Sequence, residues 1–161
     1  MLKGKIINLV RIHCNNKKSI DKIIESIGSS ETSFDFNKII SLNEKTELEM
    51  LKKWEQPLNC NVENLIIDKD EISIFFRTIS KPPIKILKQL SLNSNIDDIV
   101  LNYANIDMKS SGGLYYIMRG GIIDSVLFPE NSDENYEFTS KMLKLFEQGD
   151  NNLLKEKLDI I

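Results

Sequence analysis

The apolar positions of this chain change period several times, and each change predicts an element. Between Asn64 and Ala104 the pattern reads strand, tight turn, strand, helix, strand. In EISIFFRTI, Ile72, Ile74, Phe76 and Thr78 fall on one face, and Ser73, Phe75, Arg77 and Ile79 on the other. These β-branched and aromatic residues suit a pleated, half-buried surface. Upstream, Leu65 and Ile67 alternate with Ile66, and Asp68, Lys69, Asp70 and Glu71 separate the two apolar runs, which predicts a hairpin. Ser80 is placed to cap a helix whose first turn accommodates Pro82 and Pro83. Ile84, Leu87 and Leu90 recur at helical spacing, and a further strand is predicted over 99–106.

Before this block, residues 5–13 read as a strand with Val10 and Ile12 facing one way and Leu9 and Arg11 the other. Ser19 is a good N-cap for a helix over 20–27, where Ile20, Ile23, Ile24 and Ile27 make one apolar stripe, and Gly28 supplies the stop. Phe34, Phe36, Ile39 and Ile40 form a small apolar cluster. Asn43 is placed to cap a second helix reaching Trp54, with Leu48, Leu51 and Trp54 on its buried side, and Cys60 to Val62 begin the next strand. After the central block, 114–119 and 122–128 read as strands joined by a turn at Gly120 and Gly121. A helix over 134–148 carries Phe138, Met142, Leu145 and Phe146. Asp150 is placed to cap a last short helix bearing Leu153, Leu154 and Leu158.

The order β-α-(α)-β-β-α-β, then a hairpin and helices, predicts an α+β protein. Two right-handed crossovers on one antiparallel sheet give a ferredoxin-like βαββαβ arrangement. Residues 1–129 form that domain, and 130–161 a C-terminal helical extension packed on it. Helices cover one face of the sheet. The other face carries Leu9, Arg11, Phe75, Arg77, Leu101 and Tyr103, covered by the C-terminal helices, by a partner, or by both.

Composition narrows the class. With 161 residues, 41% hydrophobic and 28% charged, the chain can bury a core as a single domain. No apolar run approaches the roughly 20 residues of a membrane helix, so a soluble cytoplasmic protein with no membrane partner is expected. Cys14 and Cys60 lie far apart and read as buried free thiols. A net charge of −3 argues against broad, nonspecific nucleic-acid binding, which needs a basic footprint.

The chemistry-bearing residues do not assemble into a recognisable reaction centre. His13 is the single histidine, and its neighbour Cys14 points to the opposite face of a strand. The acidic groups Asp97-Asp98, Asp68-Asp70-Glu71 and Asp133-Glu134 sit at predicted turns or helix starts, and work as a site only by converging in a pocket. Gly112-Gly113 and Gly120-Gly121 match no phosphate-loop pattern. No catalytic residue, metal or cofactor is therefore expected. The binding candidates are Arg77, Tyr103, Tyr115, Tyr116 and Arg119. Tyrosine and arginine anchor protein interfaces, and on an open sheet they can also stack bases. The surface acids, among them Glu44, Glu47 and Glu137, read as solvated helix faces or as mimics of nucleic-acid charge toward a basic protein.

The run from KWEQPLNC through FFRTISKPPIKILKQLS to VLNYANIDMKSSGGLYYIMRGG resembles the YubB-type, Api-like family of phage and plasmid proteins. The matching features are Trp54, Phe75 and Phe76, the helix start at Ser80, Pro82 and Pro83, Gly112 and Gly113, and an opening strand with Asn8, Val10 and Ile12. FDFNKII also fits the segment after the first helix. The sequence departs from the family pattern at Lys81 and Cys14, and its C-terminal helices are additional. The resemblance implies a ferredoxin-like domain and a mobile-element origin, without a transferable active site. The function expected is a non-enzymatic protein-binding module, anti-CRISPR-like, acting on a host defence nuclease. The alternative is a nucleic-acid-binding accessory protein that uses the sheet aromatics.

Overall fold

The computed structural model describes residues 4–28, 33–107 and 110–148. Strand β1 (Ile6–Cys14) is apolar on both sides and lies in the middle of one antiparallel sheet. It pairs with β4 (Glu71–Thr78) on one flank and β5 (Ile96–Asn105) on the other. Beyond β4 lie β3 (Cys60–Asp68) and the two-residue β2 (Ser33–Phe34). Beyond β5 lie β6 (Gly113–Met118) and β7 (Gly121–Leu127). The strand order is β2-β3-β4-β1-β5-β6-β7.

Alternation along β1 assigns its side chains to two cores. Ile6, Val10 and Ile12 face a layer made by α1 (Ile20–Ser26), α2 (Phe36–Ile39), α3 (Glu47–Trp54) and α4 (Ile84–Leu90). Phe34, Trp54 and Phe76 pack edge to face around Phe36 there, and the Trp54 indole donates to the Ile40 carbonyl at 2.8 Å. Ile7 and Leu9 face the other way, with Phe75 and Ala104, onto Phe138, Met142 and Leu145 of α5 (Asp133–Gln148). The protein is therefore α+β, and among the described residues four helices lie on one face of the sheet and one on the other.

Several local expectations change. Leu101 and Tyr103 face the four-helix layer rather than α5, because the β1–β5 register sets them beside Val10 and Asn8. The second helix begins at Thr46, whose hydroxyl accepts the Glu49 amide, and not at Asn43. Leu48 is 79% and Leu51 45% exposed, with Trp54 alone of the three buried. Ser19 makes no cap bond to α1; Asn16 caps the 3-10 turn before it. Helix α4 starts after Pro83, so Ser80 is not its cap. The β6–β7 turn has positive φ at Arg119 (50°) and Gly120 (82°), one residue earlier than the two glycines suggest. The short helix predicted around Leu153, Leu154 and Leu158 lies outside the described residues.

Candidate binding face

Helix α5 covers the half of its sheet face formed by the start of β1 and the ends of β4 and β5. On the half that no described element covers, polar side chains from four strands stand abreast: Glu71 on β4, Arg11 and His13 on β1, Asp98 on β5 and Tyr116 on β6. The register places them. His13 is level with both Glu71 and Asp98, and Arg11 is level with Val100, which is level with Tyr116.

The row is continuously hydrogen-bonded. Arg11 Nε and Nη2 donate to Glu71 Oε1 and Oε2 at 3.0 and 3.2 Å, a two-pronged match of guanidinium to carboxylate. His13 Nε2 donates to Glu71 Oε2 at 2.6 Å, and His13 Nδ1 donates to Asp98 Oδ1. The Tyr116 hydroxyl donates to Asp98 Oδ2 at 3.2 Å. The Ser73 hydroxyl reaches Glu71 Oε1 at 3.3 Å.

These contacts fix the charges. The hydrogen bond to Glu71 and then that to Asp98 outweigh partial burial and raise the His13 imidazolium to about 9. Burial opposes the charge of Glu71, yet the hydrogen bonds from His13 and Arg11 hold its carboxyl down at about 2. Burial first, then the Asp98 charge, pushes the Tyr116 phenol up.

At neutral pH the His13 ring has a proton on each nitrogen and a carboxylate facing each proton. It has no lone pair to offer as a base or a metal ligand. Cys14 lies behind the sheet, in the core, with its thiol pushed up to about 11 mainly by burial, so it carries little thiolate character. Among the described residues, no group of three or more His, Cys, Asp or Glu is arranged to hold a metal ion. What the row does offer is a rigid set of donors and acceptors at the surface. The Glu71 and Asp98 side chains are each 18% exposed and that of His13 is 32% exposed.

The five residues singled out from sequence divide among separate places. Tyr116 ends the ionic row. Arg119 is exposed at the tip of the β6–β7 turn. Arg77 lies at the far end of the same sheet face, paired with Glu63 at 2.9 Å and over the Phe146 ring at 5.8 Å. Tyr103 and Tyr115 point to the opposite face and stack on each other, with ring centroids 5.7 Å apart and planes 13° apart. Tyr103 is 7% exposed, and burial pushes its phenol up.

Arg11, Glu71, His13 and Asp98 were not grouped by the sequence pattern. Alternation along β1 puts Arg11 and His13 on one face, but only the pairing of β1 with β4 and β5 brings the two carboxylates to them. No protein-family model, no curated protein and no solved structure matches this chain.

Proposed function

We propose that this is a mobile-element-encoded, non-enzymatic protein-binding module whose partner is a basic host protein, in the manner of an anti-CRISPR inhibitor of a defence nuclease. The observation that carries the reading is the uncovered half of the sheet, where Arg11, His13, Glu71, Asp98 and Tyr116 hold one another in fixed positions. A pre-ordered polar surface loses little side-chain freedom on binding. Exposed acids stand at the same end of the sheet: Asp68 and Asp70 at the β3–β4 turn, Asp97 on β5 and Asp124 on β7. That rim complements a basic partner. The mobile-element origin and the ferredoxin-like reading of β1, β3, β4 and β5 rest on the family resemblance together with the order β3-β4-β1-β5.

The nucleic-acid reading is weaker on this face. The cations of the row are each neutralised by a carboxylate, and the Tyr103–Tyr115 stack lies on the other side of the sheet.

The test is affinity purification of the tagged protein from its bacterial host, with and without nuclease treatment. Recovered candidates are then purified and titrated directly. A basic effector that survives nuclease treatment should bind at least tenfold more weakly to Tyr116→Ala and to Asp97→Lys. Binding of single-stranded DNA or RNA at low salt, lost in Arg119→Ala and unchanged in Asp97→Lys, would replace this reading with the accessory-protein one.

A further inference from the structure

The α4 segment is opposite in charge to the chain that carries it. The whole chain has a net charge of −3, yet residues 72–96 contain no Asp or Glu, and Lys81, Lys85 and Lys88 lie on or just before α4. Lys85 and Lys88 line a hollow of about 410 Å³ together with the apolar Ile40, Ile84 and Leu92. Leu92 also lines a neighbouring hollow of about 620 Å³, with Met118 and Arg119. It stands between the two at 57% exposure.

The β6–β7 turn is fastened to the end of α4. The Gly120 N–H donates to Ser91 Oγ at 2.7 Å, and the Ser91 hydroxyl donates to the Lys88 carbonyl at 2.7 Å. Leu92 packs so closely on Gly120 that a Cβ at that glycine would lie 2.9 Å from it. This latch holds the Arg119 turn against the end of α4 before any ligand arrives, which lowers the ordering cost of binding. Among the described residues, Lys88 and Arg119 make no ion pair, and Lys85 donates to the Lys52 carbonyl at 3.1 Å. The three cations are therefore open to an outside anion.

Cations around an exposed leucine suit a ligand that is both acidic and apolar. A nucleic-acid strand brings a phosphate at every nucleotide and is held by stacking its bases on aromatic rings. Neither hollow is lined by an aromatic residue. Each also contains a carboxylate: Glu55, paired with Lys81 at 3.3 Å, in one, and Asp97 in the other. An unbroken run of phosphates would pass both. A peptide can place its acids only where a cation meets them, and it supplies an aliphatic side chain for Leu92.

We propose that the surface around Leu92 is a second docking site, which takes an acidic peptide segment of a partner protein. An apolar side chain of the peptide sits against Leu92, Ile84 and Ile40, and carboxylates before and after it meet Lys85, Lys88 and Arg119. This goes beyond the ionic-row reading and does not depend on it, because the row lies on the other face of the sheet and is matched to a basic partner.

The test pans a displayed library of random short peptides on the full chain. Enriched sequences should carry Asp or Glu on both sides of a Leu, Ile, Met or Phe. A synthetic copy of the most enriched peptide, titrated by fluorescence anisotropy, should bind at least tenfold more weakly to each of Lys88→Glu, Arg119→Glu and Leu92→Ser. Circular dichroism should show all three folded as the wild type. Tyr116→Ala, which alters the ionic row, should bind the peptide as the wild type does, so a failure of one surface is distinguishable from a failure of the other.

Enrichment without an acidic and apolar pattern overturns the proposal. So do enriched peptides that bind the three variants as tightly as the wild type. A thymidine oligonucleotide that binds more tightly than the peptide, and is lost in the same three variants, would replace the peptide with single-stranded nucleic acid.

Discussion

At the scale of single residues, His13 has the clearest consequences. Its imidazolium is held at about 9, against an ordinary value of 6.5. The stability this adds is complete below pH 6.5 and is lost as pH rises through 9. Glu71, held at about 2 against an ordinary 4.5, adds stability that is present above pH 4.5 and lost as pH falls through 2. The two contributions are therefore both complete between about pH 4.5 and 6.5. In His13→Gln, stability at pH 6 should fall by about 1–2 kcal/mol after allowance for solvent screening, and the decline between pH 7 and 9 should flatten. Denaturant unfolding across that pH range measures both. Glu71→Ala should cost more than His13→Gln, because it leaves Arg11 and His13 facing each other without the carboxylate between them.

The same residues show what a sequence can reveal at this scale. Alternation correctly separates His13 from Cys14, and Tyr115 from Tyr116, across the sheet. It is silent about which residues of different strands stand level. Glu71 and Asp98 lie 58 and 85 positions from His13, so their meeting depends on register.

At the scale of elements, most of the plan was legible because strand and helix periods differ. The errors arose where one end of an element was misplaced. Helix α3 starts after Thr46 and not Asn43, and Leu48 and Leu51 lie on its exposed side. Reading β5 without its pairing put Tyr103 on the wrong face. Helix α5 was correctly drawn, and its attachment can be tested. Leu145 is 2% exposed beneath it, and Phe146 packs edge to face on Phe75 at 5.1 Å. Leu145→Ala should cost about 2–4 kcal/mol. Hydrogen exchange should show α5 amides losing protection well before those of β1 and β4. Equal loss in all three would mean that the helix and sheet open as one unit.

At the scale of the whole molecule, the distribution of covering layers matters most. Among the described residues, four helices shelter one face of the sheet over β1, β4 and β5 but leave Ile122 and Leu127 of β7 exposed. On the other face α5 shelters half, and the ionic row lies on the half that it leaves. The sequence carried the order of the long elements, but it left β2 and α2 as an apolar cluster around Phe34 and Phe36. It did not carry the coverage, because that depends on where α5 crosses the strands rather than on its own amphipathic pattern. Nor did it mark β7 as exposed, since an apolar strand reads the same at an edge as in the middle. A further consequence follows from the central position of β1 and concerns synthesis. Strand β1 is made before both of the strands that flank it, and its neighbour β4 is encoded about 60 residues later. At roughly 5–20 residues per second, the ribosome takes about 3–12 s to cover that gap. During that time the IINLV segment has no strand beside it. Ribosome pausing placed between β1 and β4 should therefore lower the yield of soluble protein while leaving the melting temperature of the purified product unchanged.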